Sequence, residues 1–111
     1  MENLNNKIAQ LNDECRQSGG RIGRLMLTSN LDMQITPNDK AKIYGLVATY
    51  SDFNEENDPY SEHDMGLFKF KQHSLYWKID CYDNNLEYGS EDPSNSEITT
   101  RVLTIMLASD Y

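Results

Sequence analysis

Two cysteines, Cys15 and Cys81, are all that the chain contains, and neither has a second Cys or a His at ligand spacing. That count excludes a disulfide framework or a zinc knuckle, and reduced thiols are expected. Long apolar runs are also missing. The longest stretch, near Val102 to Ala108, is a few residues, far short of the ~18–20 needed to cross a bilayer. The opening residues lack the basic-then-apolar order of a secretory signal, so a cytoplasmic protein is expected. There is no internal repeat or low-complexity run, and 111 residues fit a single domain over 1–111. The third scarcity is cationic charge after residue 50. Residues 1–50 carry five acids and six bases, a net +1, whereas residues 51–111 carry thirteen acids and four bases, a net −9.

That acidity lies mainly in two tracts without Lys or Arg. One holds Asp52, Glu55, Glu56, Asp58, Glu62 and Asp64; the other holds Asp80, Asp83, Glu87, Glu91, Asp92 and Glu97. Such a field repels phosphate backbones and attracts basic protein surfaces, so direct nucleic-acid binding is disfavoured and a basic protein partner is expected. With 10% aromatic residues, seven of them Tyr, the chain has the apolar payload to fold. Tyr60 and Tyr88 stand in the acidic loops, and Tyr76 and Tyr82 in an amphipathic strand. Tyrosine beside carboxylate suits docking on Arg-rich surfaces, because it adds rigid contact area at low entropic cost.

Leu4, Ile8, Leu11 and Cys15 recur at helical spacing, and Gly19-Gly20 follows as a stop, which predicts a helix over about residues 2 to 17. Arg21 to Thr28 reads as a strand. Thr36-Pro37-Asn38-Asp39 opens a second helix, with Ile43, Leu46, Val47 and Tyr50 facing inward. Phe68 and Phe70, then Leu75, Trp77, Ile79 and Cys81, alternate with polar residues and predict two amphipathic strands. A Gln72-His73 turn would set Phe70 opposite Leu75 and Phe68 opposite Trp77. Glu87 to Asn95 is a loop. Ser94 and Glu97 form a capping-box signature before Ile98, Val102, Leu103, Ile105, Met106 and Leu107, which predicts a last helix of about fourteen residues. The expected fold is α+β: a small antiparallel sheet of about three strands with helices packed on it, in the order α-β-α-β-β-α.

Several residues carry candidate chemistry. Asp58-Pro59-Tyr60-Ser61-Glu62-His63-Asp64 gathers carboxylates and an imidazole just before a strand whose partner carries Asp80 and Asp83. A metal-assisted hydrolase using Glu62, His63, Asp64, Asp80 and Asp83 is therefore one reading. No H-x-x-x-H or D-x-D-x-D-G spacing supports it, and the predicted register places His63 opposite Tyr82, away from Glu62 and Asp64. The plainer expectation is that Asp58 and Asp64 bond loop amides while His63 packs on Tyr82 or pairs with Asp80. Ser90 lacks the G-x-S-x-G context of a hydrolase serine. Arg101 is expected to turn back to Asp92 or Glu97.

The blocks Asp58-Pro59-Tyr60-x-Glu62-His63-Asp64-x-Gly66, Trp77-Lys78-Ile79-Asp80-x-Tyr82-Asp83, Gly89-Ser90-Glu91-Asp92-Pro93 and Thr100-Arg101-Val102-Leu103-Thr104-Ile105-Met106-Leu107-Ala108 resemble a bacterial domain-of-unknown-function family, number three-seven-six-eight. The resemblance runs in order over roughly residues 1–111 and implies a short bacterial protein, often of a plasmid or other mobile element, with no assigned activity. Cys81 stands where the family resemblance implies an aromatic residue, which argues against an essential nucleophile there. The expected function is that of a non-enzymatic mobile-element or phage protein that binds a basic host protein. It would occlude a nucleic-acid site, as an anti-CRISPR or other anti-defence inhibitor does. The binding residues expected are Glu55, Glu56, Asp58, Tyr60, Glu62, Tyr82, Asp83, Tyr88, Glu91 and Asp92, with no cofactor or metal. A homodimer joined through the Leu4, Ile8, Leu11 and Cys15 stripe is a further expectation.

Overall fold

The computed structural model describes residues 4–19 and 21–111. The predicted start of the first helix before Leu4, and Gly20 of its stop signal, lie outside the described residues, as does the side chain of Leu4. The elements are α1 (Leu4–Gln17), β1 (Arg24–Leu27), a one-turn α2 (Ser29–Asp32), α3 (Pro37–Ala48), β2 (Met65–Phe70), β3 (His73–Tyr82), β4 (Thr100–Leu107) and a 3₁₀ turn (Ala108–Asp110). The α+β class is as expected. The sheet has four strands, in the order β1-β4-β3-β2, and is mixed, because β1 runs parallel to β4 while β2 and β3 pair antiparallel.

The largest departure from the sequence reading is the last element, a strand and not a helix. β4 lies between β1 and β3, and Arg101, Val102, Leu103, Ile105 and Met106 along it are all buried. A strand covered on both faces loses its alternation and reads as a continuous apolar run, which periodicity cannot tell from a helix. Thr100, Val102, Thr104 and Ile105 supply the β-branched side chains that favour extended backbone. The Ser94/Glu97 cap does not form. The Ser94 hydroxyl donates to Asp92 Oδ1, and the Glu97 amide donates to the Asn95 side chain. At α3 the same signature is realised: Thr36 Oγ1 accepts from the Asp39 amide at 3.1 Å and the Asp39 carboxylate accepts from the Thr36 amide at 3.3 Å.

The β2–β3 turn is Lys71-Gln72, with Lys71 at φ +54°, so Phe68 faces Leu75 and Phe70 faces His73. Pairing thus differs by two residues from the Gln72-His73 expectation. A two-residue shift keeps every side chain on its face, so Phe68, Phe70, Leu75, Trp77 and Ile79 still point inward. The helices cover this face. Cys15, Leu31, Ile43 and Val47 pack with Leu75, Trp77, Ile79, Leu103 and Ile105 to make the core. Leu46 is 43% exposed and Tyr44 packs against the core in its stead. Cys15 is fully buried in this core, so the stripe expected to join two copies is partly internal.

The opposite face carries Tyr76, Lys78, Asp80 and Tyr82 beside Met26, Val102, Thr104 and Met106. A groove of about 560 Å³ along it is also lined by Leu86 and Tyr111. Tyr111 lies on Tyr76, with ring centroids 4.7 Å apart.

Candidate functional site

Strand direction brings the two acidic tracts together. The chain between α3 and β2 enters the sheet at Met65, and the chain between β3 and β4 leaves at Tyr82 and returns at Thr100. Pairing of Met65 with Lys78 and of Tyr82 with Thr100 places all three points at one end of the sheet.

The first loop is tied to α1. Asp58 is buried, and its Oδ1 accepts from the amides of Glu62 at 3.0 Å and His63 at 3.2 Å. These bonds hold His63 at φ +53°. The imidazole stacks on Phe53, centroids 3.9 Å apart and planes 4° from parallel. Its Nδ1 lies 3.0 Å from Asp13 of α1, and its Nε2 lies 3.6 Å from Asp58. Asn12 of α1 donates to the Glu62 carbonyl at 2.9 Å. Asp58 therefore bonds loop amides as expected, but it faces inward and cannot belong to a docking surface. His63 meets Asp13, Asp58 and Phe53 in place of Tyr82 or Asp80.

The second loop is ordered by its own side chains. Asp83 Oδ1 accepts from the amides of Asn85 and Glu87, both at 3.1 Å, and Tyr82 bridges Gly89. Asn84 donates to the Glu97 carbonyl. Ser90 shares a 2.6 Å bond with Thr99 and has no histidine partner. Arg101, expected to pair with Asp92 or Glu97, donates instead to Asn12 Oδ1 at 2.7 Å and to the Pro93 carbonyl.

Of the expected binding residues, Glu55, Glu56, Tyr60, Tyr88, Glu91 and Asp92 are exposed, while Glu62, Tyr82 and Asp83 are half-buried. Among the described residues, Asp80 pairs with Lys78 at 2.8 Å, and Asp58 has His63; Asp52, Glu55, Glu56, Glu62, Asp64, Asp83, Glu87, Glu91, Asp92 and Glu97 have no ion pair. Asp52, Glu55, Glu56, Glu87, Glu91, Asp92 and Glu97 of this end face water.

The residues of the hydrolase reading do not converge. His63 turns to α1, Asp80 is held by Lys78, and Asp83 closes its own loop. Among the described residues, no group of three or more His, Cys, Asp or Glu side chains could hold a metal ion. Burial pushes the Cys15 thiol up to about 11 and raises Cys81 as well, so neither is activated as a thiolate.

Glu62 and Asp64 are near one another, and burial raises both carboxyls, with Asp64 and Asp58 adding to the rise at Glu62, and Asp58 and Asp80 adding to that at Asp64. A carboxyl raised on folding binds its proton more tightly in the folded protein. Its stabilising contribution is complete below the unfolded pKa and is lost as pH rises through the folded one. Asp64→Asn is therefore expected to raise the melting temperature at neutral pH, with the gain closing as pH falls below about 4. Thermal unfolding across a pH series checks this, and a gain independent of pH would contradict it.

Asn12, Asp13, Arg16 and Phe53 had no place in the sequence reading. The signal for Asn12 and Arg16 is two polar side chains four residues apart flanking Cys15, and for Asp13 its place three residues before Arg16; for Phe53 it is one apolar residue inside an acidic loop.

These features define a class: an α+β protein with a helix-covered mixed sheet and an un-neutralised acidic end. A family model described as "Protein of unknown function (DUF3768)" matches residues 27–110. The chain belongs to that family, and the matched region holds α2, α3, β2, β3 and β4 but not α1, so it is shorter than the 1–111 expected. No curated protein and no solved structure matches the chain. No described helix is long and apolar enough to cross a membrane.

Proposed function

We propose that this chain is a non-enzymatic docking protein whose acidic loop end seats on a basic protein surface. The observation that carries the reading is that two separate acidic tracts emerge at one end of the sheet with ten carboxylates free of ion pairs among the described residues. Tyr60 and Tyr88, 69% and 73% exposed, stand among them as rigid amphipathic contacts. Because the loops are ordered by Asp58, His63 and Asp83, little entropy is lost on docking. The partner of matching chemistry is a cytoplasmic protein whose basic surface otherwise holds nucleic acid. Occluding that surface would make this chain an inhibitor of the kind that phages and other mobile elements carry against host defence.

The test is capture from a bacterial lysate with immobilised full-length chain, at about 50 mM and about 500 mM salt. Capture at low salt, its loss at high salt, its release by duplex DNA, and its loss on reversing Glu55, Glu56, Glu91 and Asp92 to Lys are the expected results. Capture that persists at high salt, or that survives the four reversals, would overturn the reading.

A further inference from the structure

Arg101 is 5% exposed and, among the described residues, no carboxylate forms an ion pair with it. A buried cation without a counter-charge is costly, so its surroundings must either supply one or receive one. On the core side its ionisable neighbours are Cys15 and Cys81, and burial keeps both as neutral thiols. Its Nε–H goes to Asn12 and one Nη2 hydrogen to the Pro93 carbonyl. A guanidinium has five N–H donors, which leaves three without a protein acceptor among the described residues.

Arg101 is among the residues lining a cleft of about 380 Å³ between α1, the Ile22-Gly23 turn and the segment 96–100. Gly23, at φ +91°, lies so close to the Arg101 carbonyl that a Cβ would collide with it, which fixes the turn against the start of β4. Leu11 and Ile22 give the cleft an apolar wall, and Ser96, Thr99 and Thr100 a polar one. The Thr99 and Thr100 hydroxyls are already bonded, to Ser90 and Asn84 respectively, so the remaining donors are chiefly those of the guanidinium. Glu14 stands on the rim, bonded to Gln10, and its charge opposes a ligand carrying more than one negative charge.

We infer that this cleft binds a small free monocarboxylate with an aliphatic tail. The carboxylate takes the unused face of Arg101, and the tail lies along Leu11 and Ile22. Guanidinium–carboxylate pairing is planar and two-pronged, which suits the two Nη atoms. The inference is independent of the docking proposal, since none of the cleft residues is one of the exposed loop carboxylates or tyrosines.

The experiment is an amide-resonance titration of the full chain with sodium hexanoate, with 1-hexanol and with inorganic phosphate in parallel. Hexanoate is expected to shift Gly23, Ser96, Thr99 and Arg101 saturably, hexanol to leave them in place, and phosphate to bind more weakly than hexanoate. Ile22→Glu, at a position 54% exposed, is expected to weaken hexanoate about tenfold while the β2–β3 resonances stay put. Arg101→Gln is expected to abolish binding; should that variant fail to fold, the Ile22 variant decides. Shifts from hexanol equal to those from hexanoate, tighter binding of phosphate, or undiminished binding by Ile22→Glu would each overturn the inference.

Discussion

Arg16→Met is expected to lower the free energy of unfolding by about 3–5 kcal/mol, measured by urea denaturation through the single tryptophan. Arg16 is 2% exposed. Its Nη1 donates to the carbonyls of Val47 at 2.8 Å, Ala48 at 3.0 Å and Tyr50 at 3.0 Å, and its Nη2 donates to Asp13 at 2.9 Å. The last carbonyls of any α-helix lack intrahelical donors. Here α1 lends α3 a side chain that satisfies them, and the guanidinium also lies 5.3 Å from the Trp77 ring and 5.6 Å from that of Phe53. Methionine fills most of the volume, so the loss reports the polar contacts and not a cavity. Arg16→Lys should recover only part of it, because an ammonium cannot reproduce the fork. A midpoint within error of the parent for Arg16→Met would show that water serves those carbonyls equally well.

Gly66→Val should destabilise by about 3 kcal/mol for a different reason, overpacking. Gly66 faces Trp77 across the β2–β3 pair. A Cβ at this position would land on the Trp77 indole nitrogen and within 2.6 and 2.7 Å of Tyr50 ring carbons. Neither ring has room to retreat. Trp77 is fully buried, and Tyr50 meets it edge-on at 5.4 Å while also touching Phe53 at 5.1 Å. Phe53 in turn carries the His63 ring, so strain at Gly66 should travel into the first acidic loop. Amide exchange at Glu62 and His63 in the milder Gly66→Ala variant is the measurement, and faster exchange confined to β2 would deny that linkage.

The elements legible in the sequence are those whose signals are local. Thr36-Pro37-Asn38-Asp39 opens α3 as expected, because the capping bonds span three residues and need nothing from elsewhere. The alternation in β3 is visible because one of its faces meets helices and the other does not. β4 was illegible because the property that makes it central, burial on both faces, erases the period that would identify it. At the candidate site, charge was legible and orientation was not. Asp58 and Glu56 look alike in a sequence, yet one is buried beneath His63 and the other faces water. The partners that decide this, Asn12, Asp13 and Arg16, come from a helix far earlier in the chain.

The last strand in sequence is second in the sheet, flanked by the first and third. A ribosome that has made everything up to Ile98 therefore holds a β2–β3 hairpin with one long side unmet, and a β1 with nothing to join, since Arg24 awaits Val102. Sheet assembly is thus deferred until β4 has been made. The kinetics of folding should be dominated by closure of that distant pairing. Until then the strand edges are unpaired, a surface that favours aggregation.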